Sequence, residues 1–175
     1  MGAVAIEIND AGIVVASEAG VLATEPGFAY VEGKKIVTGD LARARARLKP
    51  RQTTSRFWSA LSMDPGSAGA GIGNSAAELA YAQLESLWQR VGSGVTDVLL
   101  VVPGAYRADQ LGLLLGLAQE CGMPVRALVD TAAAASVRPY PGRQLVHVDA
   151  SLYRVSVTLI EQNGEATVQA EHALG

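Results

Sequence analysis

Asp97-Val98-Leu99-Leu100-Val101-Val102-Pro103-Gly104-Ala105-Tyr106 opens the segment that decides the fold. An amphipathic run follows to Cys121-Gly122, then Pro124-Val125-Arg126-Ala127-Leu128, then Asp130-Thr131 and the alanines from Ala132 to Ala135. The order is a buried strand, a helix, a second strand and the start of a small-residue helix. Val98 to Val102 is too apolar for a half-exposed strand and belongs in the centre of a sheet. Strands joined through a helix run parallel, so the Val98 and Val125 strands are expected to share one direction. Leu111, Leu114, Leu115 and Ala118 stripe the connecting helix, and Gly122 is its expected stop. On this reading Leu115→Ala removes a core side chain and costs about 2–5 kcal/mol.

Upstream, Val4 to Ile8 and Ile13 to Ser17 read as strands. Asn9-Asp10-Ala11-Gly12 between them supplies the residue types that tolerate a tight reversal. The Ile13 strand is therefore antiparallel to the Val4 strand, and the Val98 and Val125 strands are parallel to it. A mixed five-stranded sheet is expected. Phe28 to Val31 and Lys35 to Thr38 flank the turn Glu32-Gly33. Gly39-Asp40 opens a short helix, Leu41 to Leu48, ended by Lys49-Pro50. Phe57-Trp58 and Leu61 form a small apolar anchor. Asp64 to Asn74 holds Gly69, Gly71 and Gly73, but the spacing fits neither the dinucleotide fingerprint nor a lysine-bearing phosphate loop. It reads as a flexible surface loop. Ser75 with Glu78 makes a capping box for a helix whose inner face carries Ala80, Leu84, Leu87 and Trp88.

The tail reads as three more strands, Leu145 to Val148, Tyr153 to Ile160 and Glu165 to Ala170, with Asn163-Gly164 as a hairpin signal. Val146, Val148, Val155, Val157, Leu159 and Ile160 place apolar side chains on both faces. Three strands cannot cover two apolar faces, and an uncovered one invites association. The early block also reads strand-turn-strand-strand, so the late block repeats it.

The chain has 175 residues and a formal charge of −3. It is long enough for one real core. The balance of charge argues against a nucleic-acid partner, which needs a basic field. Arg43, Arg45 and Arg47 alternate with alanine and read as a solvated surface. The single cysteine, Cys121, cannot form an internal disulfide and points to a reducing compartment. It reads as a packed small hydrophobe. The start lacks a basic leader pattern, and no apolar run reaches spanning length. A cytoplasmic location without a membrane span follows as an expectation.

The segment from Val98 resembles one part of the actin and seventy-kilodalton heat-shock chaperone ATPase superfamily. There a strand ends in Val-Pro-Ala-Tyr, a helix follows, and the next strand leads into Glu-Pro-Thr-Ala-Ala-Ala. Val102-Pro103 and Ala132 to Ala135 match, with Tyr106 displaced by one place. The resemblance covers nearly the whole chain. It implies a ribonuclease H-like, actin-type ATPase lobe over residues 1–142, and the opening meander of a second, incomplete lobe over 143–175. In that family each lobe begins with a three-stranded meander, and nucleotide lies between the lobes. The uncovered tail then implies a fragment of a longer protein, or self-association through 143–172, most simply as a symmetric dimer.

The resemblance also carries site residues over by position. Where the family has Ile-Asp-Leu-Gly-Thr-Thr, this chain has Ile6-Glu7-Ile8-Asn9-Asp10-Ala11. Glu7 stands for the metal-orienting aspartate, Asn9 for a glycine, and Asp10 and Ala11 for two hydroxyl residues. In the second loop His147 stands for an aspartate, and Asp149, Ala150 and Ser151 replace the glycines that let amides approach phosphate. Asp130 replaces the glutamate that positions the attacking water. Glu7, Asn9, Asp10, Ala11, Asp149, Ala150 and Ser151 are thus the nucleotide-binding positions, Glu7 and Asp10 the metal positions, and Asp130 the catalytic one. ATP and magnesium are the implied cofactors. Three functions stay open: a non-catalytic binding or scaffold module with degenerate phosphate loops, a divergent ATPase that binds ATP and magnesium between its lobes, and a ribonuclease H-type nuclease. The lost glycines favour the first.

Overall fold

The computed structural model describes residues 2–136, 138, 140, 142, 144–163 and 167–174, with 163 and 167–174 described by backbone alone. The elements in chain order are β1 (Ala3–Asn9), β2 (Gly12–Ser17), β3 (Gly20–Pro26), β4 (Ala29–Glu32), β5 (Lys35–Thr38), α1 (Gly39–Arg45), a 3-10 turn (Pro50–Gln52) and β6 (Thr53–Thr54). They continue with α2 (Ala76–Val91), β7 (Asp97–Val102), α3 (Ala108–Glu120), β8 (Val125–Asp130), α4 (Thr131–Ala135), β9 (Gln144–Ala150), β10 (Val155–Asn163) and β11 (Thr167–Leu174).

A mixed five-stranded sheet is ordered β3-β2-β1-β7-β8. β7 pairs in parallel with β1 (Ile6 opposite Leu100) and with β8 (Leu100 opposite Leu128), while β2 is antiparallel to β1. The expected strand directions hold. The cause is the one read from the sequence: a helix returns the chain between β7 and β8, whereas Asn9 to Gly12 reverses it. Val4, Ile6 and Ile8 alternate into the core, and Val98 and Leu100 join them. α2 seals that face with Leu79, Leu84 and Leu87. Its start is the expected capping box, with Ser75 Oγ accepting from Glu78 N at 3.2 Å and Glu78 Oε2 accepting from Ser75 N at 2.7 Å. α3 stops at Gly122, whose φ is +72°. Gly122 N bonds Gln119 O and Met123 N bonds Ala118 O, the paired closure that a left-handed residue permits.

Three readings need correction. The third strand of the first meander is β3, not the Phe28 strand, which starts a separate sheet ordered β5-β4-β6. β3 is an edge strand with the adjacent Val21 and Leu22 both exposed and Glu25 buried, so it shows no apolar alternation. Leu115 is 38% exposed, while Leu114 and Ala118 are buried. The buried face of α3 also takes in Gln110, which donates to Leu61 O at 3.4 Å. A buried glutamine turns the helix away from the purely apolar stripe, and Leu115→Ala should cost little. The 64–74 segment is packed: Ala68 and Ile72 are buried, Ala68 O accepts from Thr54 Oγ1 at 2.7 Å, and Ser67 Oγ accepts from Ala76 N at 2.8 Å.

The tail forms a three-stranded antiparallel sheet, β11-β10-β9. The Asn163-Gly164 turn falls at 164–166, outside the described residues, although Asn163 pairs with Thr167. Among the described residues no helix is long and apolar enough to cross a membrane.

Candidate functional site

Two turns meet at the end of the central sheet. The first joins β1 to β2. Asn9 Oδ1 accepts from Ala11 N at 2.9 Å and from Gly12 N at 3.1 Å, and Asn9 Nδ2 donates to Glu7 Oε1 at 3.3 Å. The side chain of Asn9 thus consumes the amides of its own turn. Gly12 is required here: its φ is +152°, and an added Cβ would stand 2.1 Å from Glu25 O. Gly27 N clamps the turn by donating to Ala11 O at 2.9 Å. The one side chain left to point across is Asp10, and it is buried.

The second turn joins β9 to β10. Leu152 N donates to Asp10 Oδ1 at 2.8 Å and Tyr153 N donates to Asp10 Oδ2 at 2.9 Å. Ser151 Oγ lies 3.0 Å from both Asp10 Oδ2 and Arg154 O, so one hydroxyl proton serves two acceptors. Successive amides turned toward one anion make a nest, and here the anion is a carboxylate of the same chain. The clasp is braced from outside as well. Tyr153 OH hydrogen-bonds Ser55 Oγ, and the Arg56 guanidinium sits 4.7 Å over the Tyr153 ring.

Behind the clasp lies a cavity of about 20 Å³, lined by Asp10, Ser59, Tyr106, Asp149 and Arg154 among others. It has room for roughly one water, against several hundred cubic ångströms for a ligand pocket. Tyr106 closes its floor and donates to Trp58 O at 2.7 Å. Burial, and then the nearby Asp10 charge, push the Tyr106 phenol well above the usual tyrosine range. It is a neutral donor, not a base.

No family model matches the chain, and no curated protein matches it at a significant level. The site's chemistry therefore rests on its own geometry.

Of the positions singled out in the sequence, Asn9, Asp10, Asp149 and Ser151 come together at this cavity. Glu7 lies one turn back, bonded to Asn9. Ala11 supplies backbone to the first turn, and Ala150 ends β9 beside it. Asp130 caps α4, accepting from Ala132 N at 2.7 Å and Ala133 N at 3.3 Å. His147 Nε2 is buried with no hydrogen-bond partner among the described residues. Among those residues no three His, Cys, Asp or Glu side chains gather in a way that would hold a metal. Ser55, Arg56 and Tyr153 were not foreseen at the site; a bond between Ser55 and Tyr153, far apart in the chain, leaves no local signal.

An open groove of about 580 Å³ beside α2 and α3 is lined by Ile36, Met63, Tyr81, Glu78, Glu85 and Glu120. Its three glutamates repel a phosphate. Cys121 lies close by, half-buried. Burial first, then Glu85 and Glu120, push its thiol up to about 11. The thiolate is the reactive form. Alkylation of Cys121 by iodoacetamide near pH 8 is therefore expected to run about a hundredfold slower in the native chain than in urea. Equal rates in the two states would show that the thiol is not shielded.

Proposed function

We propose that the chain is a non-catalytic binding module built on an actin- or chaperone-type ATPase lobe. The observation that carries the reading is the Asp10 carboxylate, bonded to the amides of Leu152 and Tyr153. In the family resembled, these two turns grip nucleotide phosphates from opposite sides. Here Asn9 satisfies the first turn's amides and Asp10 the second's. A phosphate approaching this point meets a buried negative charge and about 20 Å³ of space. The residues present do not suit ATP with magnesium. The sheet order β3-β2-β1-β7-β8 supports the family reading at the level of architecture, and fold alone does not assign an activity.

The binding surface is the outward face of β9 and β10. Val148 stands opposite Val157, Val146 opposite Leu159 and Ala150 opposite Val155. All six are exposed, with Val146 at 64%. The inward positions are mixed: Leu145, His147, Asp149, Ser156, Thr158 and Ile160. The outward set is a flat aliphatic patch ended by Gln144 and Glu161, also exposed. These six aliphatic side chains are complementary to a second copy of themselves, and two such sheets stack about 10 Å apart. The isolated chain is expected to dimerise through this face.

Calorimetry and sedimentation test both parts. Titration with ATP and magnesium is expected to give no saturable heat, and saturable binding restores the ATPase reading. Sedimentation equilibrium is expected to show a dimer, and Val148→Lys with Val157→Lys to give a folded monomer. A wild-type chain that stays monomeric at high concentration removes the self-association proposal.

A further inference from the structure

The chain's modest net charge hides a strong separation. Eight of its fourteen Lys and Arg residues fall between Lys34 and Arg56, with one acid, Asp40, among them. The remainder of the chain carries six basic residues against sixteen acids. All eight cations are exposed. Arg43, Arg45, Arg47, Lys49 and Arg51 lie on α1 and the turns that follow it, whereas Arg56 stacks on Tyr153. α1 buries Gly39 and Ala42 against the body of the protein. Its opposite face carries Leu41, Ala44 and, after the chain coils on through Leu48 N to Arg45 O, Leu48. Leu41 is 71% exposed and Leu48 80%. Leucine stripes normally face inward on a surface helix. This one faces out, between cations.

The cations along this segment are not all used internally. Arg43 pairs with Asp40 at 2.7 Å and Arg45 lies 4.7 Å over the Tyr30 ring. Arg47, Lys49 and Arg51 make no ion pair with a described residue. Exposed leucines flanked by Arg and Lys form the pattern that lies in a membrane interface, with aliphatic side chains below the headgroups and cations among them. A nucleic acid would use the cations but leave both leucines in water, since phosphate and sugar offer them nothing. We propose that this face docks on a lipid bilayer bearing anionic headgroups. Leu41 and Leu48 enter the acyl boundary, and Arg47, Lys49 and Arg51 engage the headgroup charges. The acidic remainder of the chain is repelled by the same surface, which sets the orientation.

Cosedimentation with vesicles tests the proposal. One set is phosphatidylcholine alone, and the other includes about a third phosphatidylserine, a strongly anionic surface. Retention is expected on the anionic vesicles only. Arg47→Glu with Arg51→Glu should weaken it at least about tenfold, since each lost cation removes a surface attraction and each new acid adds repulsion. Leu41→Ser with Leu48→Ser should also weaken it about tenfold. All four positions are exposed, so circular dichroism should stay unchanged. Failure of the wild-type chain to sediment with anionic vesicles overturns the proposal. So does retention indifferent to the leucine changes and displaced by single-stranded RNA or an acidic peptide, which would assign the face to a soluble polyanion.

Discussion

Trp58→Ala should cost the fold about 3–5 kcal/mol, the largest single-residue loss expected in this chain. Trp58 is fully buried, with its ring 5.5 Å from that of Phe57. Removing it opens a cavity between the 55–61 segment and α2 that the surrounding elements cannot close. It also strands a polar network. Trp58 Nε1 donates to Gln83 Oε1 at 2.8 Å, and Gln83 Nε2 donates in turn to Pro26 O at 2.9 Å. Gln83 is itself fully buried, so its carbonyl would be left without a donor, which accounts for about 1–3 kcal/mol of that loss unless a water enters. Trp58→Phe separates the two effects, because it refills much of the volume and still leaves Gln83 Oε1 without its donor. Urea denaturation should rank the chains wild type, Trp58→Phe, Trp58→Ala. A loss below about 1.5 kcal/mol for the alanine variant would mean that this anchor is not part of the cooperative core.

The anchor was legible in the sequence because three large apolar residues, Phe57, Trp58 and Leu61, stand in a polar stretch. The same is true wherever burial and composition agree. β7 is apolar from Val98 to Val102 and is hydrogen-bonded on both edges. α2 announces its start with Ser75 and Glu78, and α3 its end with Gly122. Legibility fails where a polar side chain occupies an inward position. Glu25 faces inward from β3, where it pairs with Arg90 and lies 3.5 Å from Thr38 Oγ1. It breaks the alternation that would have marked that strand. Gln110 does the same to the stripe of α3. In the tail the pattern inverts, because the outward face of β9 and β10 is aliphatic and the inward one mixed. Periodicity reports that alternation exists; it does not report which face is solvent.

The site shows the same limit more sharply. The residue types at the two turns were readable one by one, and for Asp10 a turn position was the plain interpretation. What no local pattern gives is the meeting of Asp10 with Leu152 and Tyr153, which depends on two hairpins being brought end to end by the sheet between them. The charge separation around α1 was countable in the sequence, yet an alternating Arg-Ala run is ordinary on a solvated helix. The outward direction of Leu41 and Leu48 is what changes its meaning.

Asp10→Ala is expected to cost about 3 kcal/mol and to act on one part of the molecule first. Three donors, Leu152 N, Tyr153 N and the Ser151 hydroxyl, point at the buried carboxylate. Hydrogen bonds to an ionised group are the stronger class, and deleting the acceptor strands the donors. These three hydrogen bonds tie the β9–β10 turn to the β1–β2 turn, whereas the pairing of β1 with β7 does not involve the Asp10 side chain. Hydrogen exchange should therefore lose protection at Leu152, Tyr153 and the neighbouring amides of β9 and β10, while the amides of β1 and β7 keep theirs. Asp10→Asn should fall between wild type and alanine, because the amide offers one acceptor and turns an N–H against the second donor. The two empty amides in Asp10→Ala also make a test of what the carboxylate replaces. If Asp10 stands where a phosphate oxygen would, inorganic phosphate at high concentration should restore part of the protection in the alanine variant and none in wild type, where the nest is filled. Uniform loss of protection across both sheets would show instead that Asp10 supports the whole fold. Unchanged protection at Leu152 and Tyr153 would show that the clasp does not hold the two turns together.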